Sequence, residues 1–129
     1  MRRSSSATEI DKWIPLTPAV FHILLALCDQ ERHGYAIMQQ ILADTGGRFR
    51  MGPGTLYGSI KRMLAGNLIE ESELRPDPEM DDERRRYYRL TSLGHAVVTA
   101  EAGRLATAVK IARRRQVIKR KARMGLVEE

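Results

Sequence analysis

Helical periodicity in this chain is interrupted three times at short range, and the interruptions limit what it can build. Asp29-Gln30-Glu31-Arg32-His33-Gly34, Thr45-Gly46-Gly47 and Gly66-Asn67 each end a run of apolar residues at helical spacing, leaving helices of roughly a dozen residues. Helices that short gain most of their stability from packing an apolar face. The first follows Thr17-Pro18, where a threonine oxygen can accept an orphan backbone N–H and proline has none to lose. It is expected to run to about Asp29, with Val20, Ile23, Leu24, Leu27 and Cys28 on one face, widened by Phe21 and Leu25. The second carries Tyr35, Met38, Ile41 and Leu42. After a short extended piece from Arg48 to Met51, the third opens at Gly52-Pro53-Gly54-Thr55 and turns Leu56, Ile60, Met63 and Leu64 inward.

Leu68 to Leu74 and Arg85 to Leu90 show partial alternation with β-favouring Ile69, Tyr87 and Tyr88, and read as a hairpin with a long acidic tip, Asp81-Asp82-Glu83. Thr91 then caps a long alanine-rich helix from Ser92 that can continue past Arg115, modestly weakened by Gly94 and Gly103. Along it Val98, Ala102, Leu105, Val109 and Ala112 alternate spacings of four and three, the seam of a helix packed on a partner helix. The same helix could instead fold back on its own chain. Ahead of everything, Ile10, Trp13 and Ile14 allow a short amphipathic helix. The expected organisation is an arm or short helix over 1–15, a winged helix-turn-helix over 16–91, and a dimerisation helix with a basic tail over 92–129. The fold class is mainly α with a small β-hairpin, in one domain for 129 residues.

Composition narrows function by exclusion. With 43% hydrophobic residues but only 5% aromatic, the core must be aliphatic. Val20 to Cys28, interrupted by His22, is far too short to span a membrane, and Glu9, Asp11 and Lys12 stand where a secretory signal needs apolar residues. No membrane association and a cytoplasmic location are expected. Cys28 is the sole cysteine, so no internal disulfide or multi-cysteine zinc site can form, and His22, His33 and His95 never pair at a ligand spacing. No P-loop, dinucleotide fingerprint or nucleophile elbow occurs. No enzyme, cofactor or metal function is expected.

Twenty-two Lys and Arg against 16 Asp and Glu leave a net charge of +6, which favours an acidic partner. Three helices followed by a hairpin is the order of a winged helix-turn-helix, whose second paired helix enters the major groove of double-stranded DNA. That makes the Gly54 helix the recognition helix. Gly54 and Thr55 lie in its first turn, where N–H groups can meet phosphate, and Thr55 can reach a base edge. Tyr57 and Lys61 share a stripe. On the side expected to be exposed, Gly58 permits close approach, Ser59 can donate to phosphate or base, and Arg62 can contact phosphate or guanine. Tyr57 reads equally as a half-buried core aromatic. Gly34 and Tyr35 open the preceding helix and join this surface; His33 either helps anchor phosphate there or forms part of a turn. In the wing, Arg84, Arg85 and Arg86 can contact phosphate, in competition with cross-strand pairing to Glu70, Glu71 and Glu73. Residues 104–123 hold nine Lys and Arg and no acid, and read either as flanking phosphate contacts or as a solvated tail.

Leu16-Thr17-Pro18, Leu24-Leu25-Ala26-Leu27, His33-Gly34-Tyr35-Ala36-Ile37, Gly54-Thr55-Leu56-Tyr57, and Arg86-Tyr87-Tyr88-Arg89-Leu90-Thr91 with Gly94 occur in this order. In that arrangement the chain resembles the PadR family of bacterial winged-helix transcriptional regulators over roughly residues 16–110. The resemblance implies a homodimer joined by the long helices, repression from a palindromic operator, and relief by a small aromatic effector. Trp13 and Phe21 are conceivable platforms for such an effector; Trp13 can equally be a docking residue. The long acidic wing turn and the single long helix after the wing depart from larger family members. The competing reading is a protein-interaction module with only nonspecific nucleic-acid affinity.

Overall fold

A computed structural model describes residues 2–72 and 86–119. Among these, five helices and three short strands follow one another: α1 (Arg2–Trp13), α2 (Pro18–Ala26), β1 (Arg32–His33), α3 (Gly34–Asp44), α4 (Pro53–Ala65), β2 (Ile69–Glu71), β3 (Tyr87–Leu90) and α5 (Ser92–Arg114). The chain is therefore mainly helical with a small antiparallel sheet, the architecture of a winged helix.

Local chemistry explains where the helices start. The Thr17 side chain accepts from the Val20 N–H at 3.2 Å, with proline in the first turn of α2, and Thr91 accepts from the Gly94 N–H at 2.9 Å to open α5. Two ends differ from expectation. α2 stops at Ala26 rather than Asp29, because the Leu27 N–H turns back to Leu24 and Leu25 and Arg32 Nε donates to the Ala26 carbonyl at 2.6 Å. Cys28 consequently lies beyond the helix and is exposed, not on its apolar face. Partial burial of its thiol, reinforced by Asp29, pushes its pKa up, the reverse of an activated nucleophile. α5 closes at Arg115, and Gln116 adopts a positive φ of 63°.

The expected two-stranded hairpin is a three-stranded sheet of order β1-β3-β2. Arg32 and His33, read from sequence as a polar break, pair with Tyr88 and Tyr87; on the other edge Ile69, Glu70 and Glu71 face Leu90, Arg89 and Tyr88. The core joins Val20, Ile23, Leu24, Ile37, Ile41, Leu56, Ile60, Met63, Leu68, Ile69 and Val97 with Tyr88 as its one buried aromatic. It is aliphatic, as the composition requires.

The long helix is tied to this core by a buried acid. Glu101 is only 2% exposed; its carboxylate accepts from the Leu16 N–H at 3.2 Å and from Arg104 at 2.7 and 2.8 Å. The Arg104 hydrogen bonds chiefly hold its pKa below the ordinary carboxylate value, against the opposing effect of burial. Glu101→Ala leaves the Leu16 N–H without its acceptor and is expected to cost about 1 to 3 kcal/mol in urea unfolding. Because the folded pKa is lowered, this contribution is complete above the unfolded carboxylate range and fades as pH falls through the folded value. The wild-type advantage over Glu101→Ala should therefore shrink in acid; an advantage constant down to strongly acidic pH contradicts the assignment.

Candidate nucleic-acid interface

α4 presents two unlike sides. Leu56, Ser59, Ile60 and Met63 are buried, while Pro53, Gly54, Thr55, Tyr57, Lys61 and Arg62 are exposed and Gly58 is half-exposed. Ser59, expected on the outward side, is thus corrected: at 1% exposure it lies on the inward stripe, three residues beyond Leu56 and four before Met63. Among the described residues its hydroxyl meets only Arg62 Nη2, at 3.4 Å. Arg62 also reaches back to the Gly58 carbonyl at 3.4 Å, so both of its contacts are long and weak. Among the described residues no side chain caps the N-terminus of α4, and the helix contains no acid. A side chain at Gly54 would meet nothing within 4 Å, and one at Gly58 only the tip of Arg62 at 4.0 Å. Core packing does not account for these two glycines.

α3 meets this face through an aromatic contact. The Tyr57 ring lies over Gly34, where an added Cβ would collide with the ring and its hydroxyl. The ring packs between α3 and α4, as the half-buried reading of Tyr57 expects, yet the residue is 39% exposed; Tyr35 is 61% exposed. Gly34 itself is buried. His33 ends β1 and caps α3, its Nδ1 accepting from the Ala36 N–H at 3.2 Å and its ring standing edge-on to Tyr87.

The root of the wing is occupied by ion pairs. Arg86 binds Glu71 at 2.6 Å, Arg89 binds Glu70 at 2.8 Å and approaches Glu31 at 3.7 Å, and the Ser72 hydroxyl donates to Glu31. Arg86 thus has its carboxylate already, the competition foreseen from the strand register. Arg84 and Arg85 lie outside the described residues, as do Glu73, the acidic tip and the tail beyond Lys119.

On α5 one residue of the expected seam belongs to the chain's own core. Val98 is buried at 4% with Gly94, Val97 and Glu101, the stripe that faces this chain's own core, so it is unavailable to a partner. Ala102 is exposed, Leu105 and Ala112 are half-exposed and Val109 is 39% exposed. Trp13 packs over Gly66 and borders an open cleft of about 450 Å³ with Glu9 and Lys12. Phe21 does not line that cleft; it stands edge-on to His22 at 5.7 Å. The two proposed platforms do not share this cleft. Among the described residues no helix is long and apolar enough to cross a membrane, and no group of three or more metal-ligating side chains occurs.

Comparison with known proteins agrees with this geometry. The chain matches the "Transcriptional regulator PadR-like family" over residues 23–100. It is similar to the transcriptional regulator Rv3488 of Mycobacterium tuberculosis, with 38% identity over 81 residues that cover 62% of this chain and 68% of that protein. A PadR family transcription regulator from Clostridium difficile R20291 superposes with a TM-score of 0.61 at 26% identity, covering 74% of this chain and 95% of the other. RosR of H. salinarum superposes with a TM-score of 0.57 at 29% identity, covering 74% and 79%. With its helix order, its small sheet and the family match over more than half its length, this chain belongs to the PadR-like family of transcriptional regulators.

Proposed function

We propose that the chain is a sequence-specific repressor that binds a palindromic operator as a homodimer, with α4 in the major groove. The observation that carries the reading is the outward face of α4: acid-free, uncapped, opened by Gly54 and Gly58, and bearing Thr55, Tyr57, Lys61 and Arg62. N–H groups at such a helix start meet phosphate, while side chains further along reach base edges. The seam Ala102, Leu105, Val109 and Ala112, left open by the chain's own core, supports pairing of two α5 helices and hence a two-fold site. Arg86 has a minor part in this reading because Glu71 neutralises it. An aromatic effector would contact Trp13 beside its cleft, and quenching of this sole tryptophan is its test.

Arg62→Ala is expected to weaken operator binding and relax discrimination by about 1 to 3 kcal/mol at one base pair, measured by competition between operator variants. Unchanged affinity and discrimination would remove Arg62 from the interface. The protein-interaction alternative predicts instead that the wild type prefers no duplex at physiological salt. A reporter placed downstream of the bound site should fall when the protein is expressed; a rise would replace repression by activation.

A further inference from the structure

Within residues 16–91 the described basic side chains fall into two groups. Arg32 holds Asp29 and the Ala26 carbonyl, Arg86 holds Glu71, Arg89 holds Glu70 and Glu31, and Arg62 lies back along its own helix. Arg48, Arg50 and Lys61 have no side-chain hydrogen bond or ion pair among the described residues. All three stand in or immediately before α4. Both arginines are exposed, alternating with Phe49, which packs partly against the core, and Met51, which is buried at 6%.

The backbone that carries them is held in place. The Phe49 N–H donates to Thr45 Oγ1 at 3.0 Å, and the same hydroxyl donates to the Ile41 carbonyl at 2.9 Å, tying the segment to the end of α3. The Phe49 ring stands edge-on to His22 of α2, with centroids 5.5 Å apart. With the intervening side chain anchored and Met51 buried, the two guanidiniums project from a fixed ledge beside the first turn of α4. Unpaired cations on a rigid ledge lose little further backbone freedom when they meet an anion. From Thr45 to Ile69, which takes in both this ledge and α4, the sequence holds no acid.

We propose that Arg48 and Arg50 grip the phosphodiester backbone of duplex DNA at the edge of the groove that α4 enters. The inference rests on the DNA-binding reading above and adds to it two anchoring residues that set affinity and position rather than base choice. Contacts of this kind displace condensed counterions, so each should add to the salt dependence of binding while leaving sequence preference untouched.

The test measures fluorescence anisotropy of a labelled preferred duplex and a scrambled duplex across a salt series. It compares wild type, the Arg48→Ala/Arg50→Ala double variant and the Arg48→Lys/Arg50→Lys double variant. The alanine pair is expected to weaken binding to both duplexes by a similar factor and to reduce the slope of log affinity against log salt by about 1.8, or 0.9 for each lost phosphate contact. The lysine pair should keep most of the slope, and thermal melting should be unchanged in both because the side chains are exposed. Wild-type binding with an unaltered slope in the alanine pair overturns the inference and leaves the DNA-binding reading standing, and loss of slope in both pairs overturns it as a charge effect. Absence of wild-type binding to either duplex overturns the underlying reading and the inference with it.

Discussion

Leu105→Glu combined with Val109→Glu is expected to leave the winged domain folded, convert the protein to a monomer, and lower operator affinity by roughly 100-fold or more. The size follows from linkage. Once one α4 of a dimer is seated, the second half-site meets its helix at high effective concentration, and that gain of about 10² to 10⁴ disappears when the protomers separate. Leu105 is half-exposed and Val109 is 39% exposed, so a glutamate at either position is solvated in the isolated chain and would become a buried, unpaired charge only in the proposed dimer. Sedimentation and anisotropy on a two-half-site duplex check both parts. A variant that stays dimeric places the interface elsewhere; a monomer with full affinity removes the dimer from the mechanism.

Gly94→Ala should be the most damaging single substitution outside the large core side chains, at about 2 to 3 kcal/mol or more in urea unfolding. Helix propensity alone predicts the opposite, since alanine in a helix is favoured over glycine by about 1 kcal/mol. Packing decides the sign. A Cβ at Gly94 would lie on the Leu68 carbonyl, which already accepts from the Thr91 N–H and the Thr91 hydroxyl, both at 3.0 Å. The neighbour is backbone, fixed by the buried Leu68 and Ile69 side chains, and cannot swing aside as a side-chain tip would. Relieving the overlap lifts α5 off β2 and pulls on Glu101 two turns later. A Gly94→Ala protein as stable as wild type would show that this junction has slack.

What the sequence disclosed was local chemistry. Thr17, Thr91, Pro53 and the Gly66-Asn67 stop announce their helix ends within three or four residues, so those boundaries and the helix order are legible. β1 is not, because a two-residue strand carries no alternation and exists only through pairing with Tyr87 and Tyr88 more than fifty residues away. Glu101 is hidden for the same reason: its polar character suggests solvent, and its backbone partner, Leu16, is 85 residues distant. Ser59 and Val98 illustrate a different limit. Each fits its helix's inward stripe by spacing, but the hydroxyl of one suggested the surface and the apolar side chain of the other fitted an intermolecular seam as well as an internal one. Only the packed chain shows that Gly94, Val97, Val98 and Glu101 serve the core and that exposure begins at Ala102. Arg48 and Arg50 were visible as an extended piece, yet their lack of partners among the described residues is a property of the folded surface.

The central claim is that the α4 face reads DNA sequence in a two-fold arrangement. Selection of bound duplexes from a randomised pool at physiological salt, followed by sequencing, tests it most directly. The expected result is enrichment of an inverted repeat with half-sites about one helical turn apart, or a multiple of it, lost with Arg62→Ala at one base pair of each half. A pool that emerges unenriched, or enriched only in composition with no symmetric site, contradicts it.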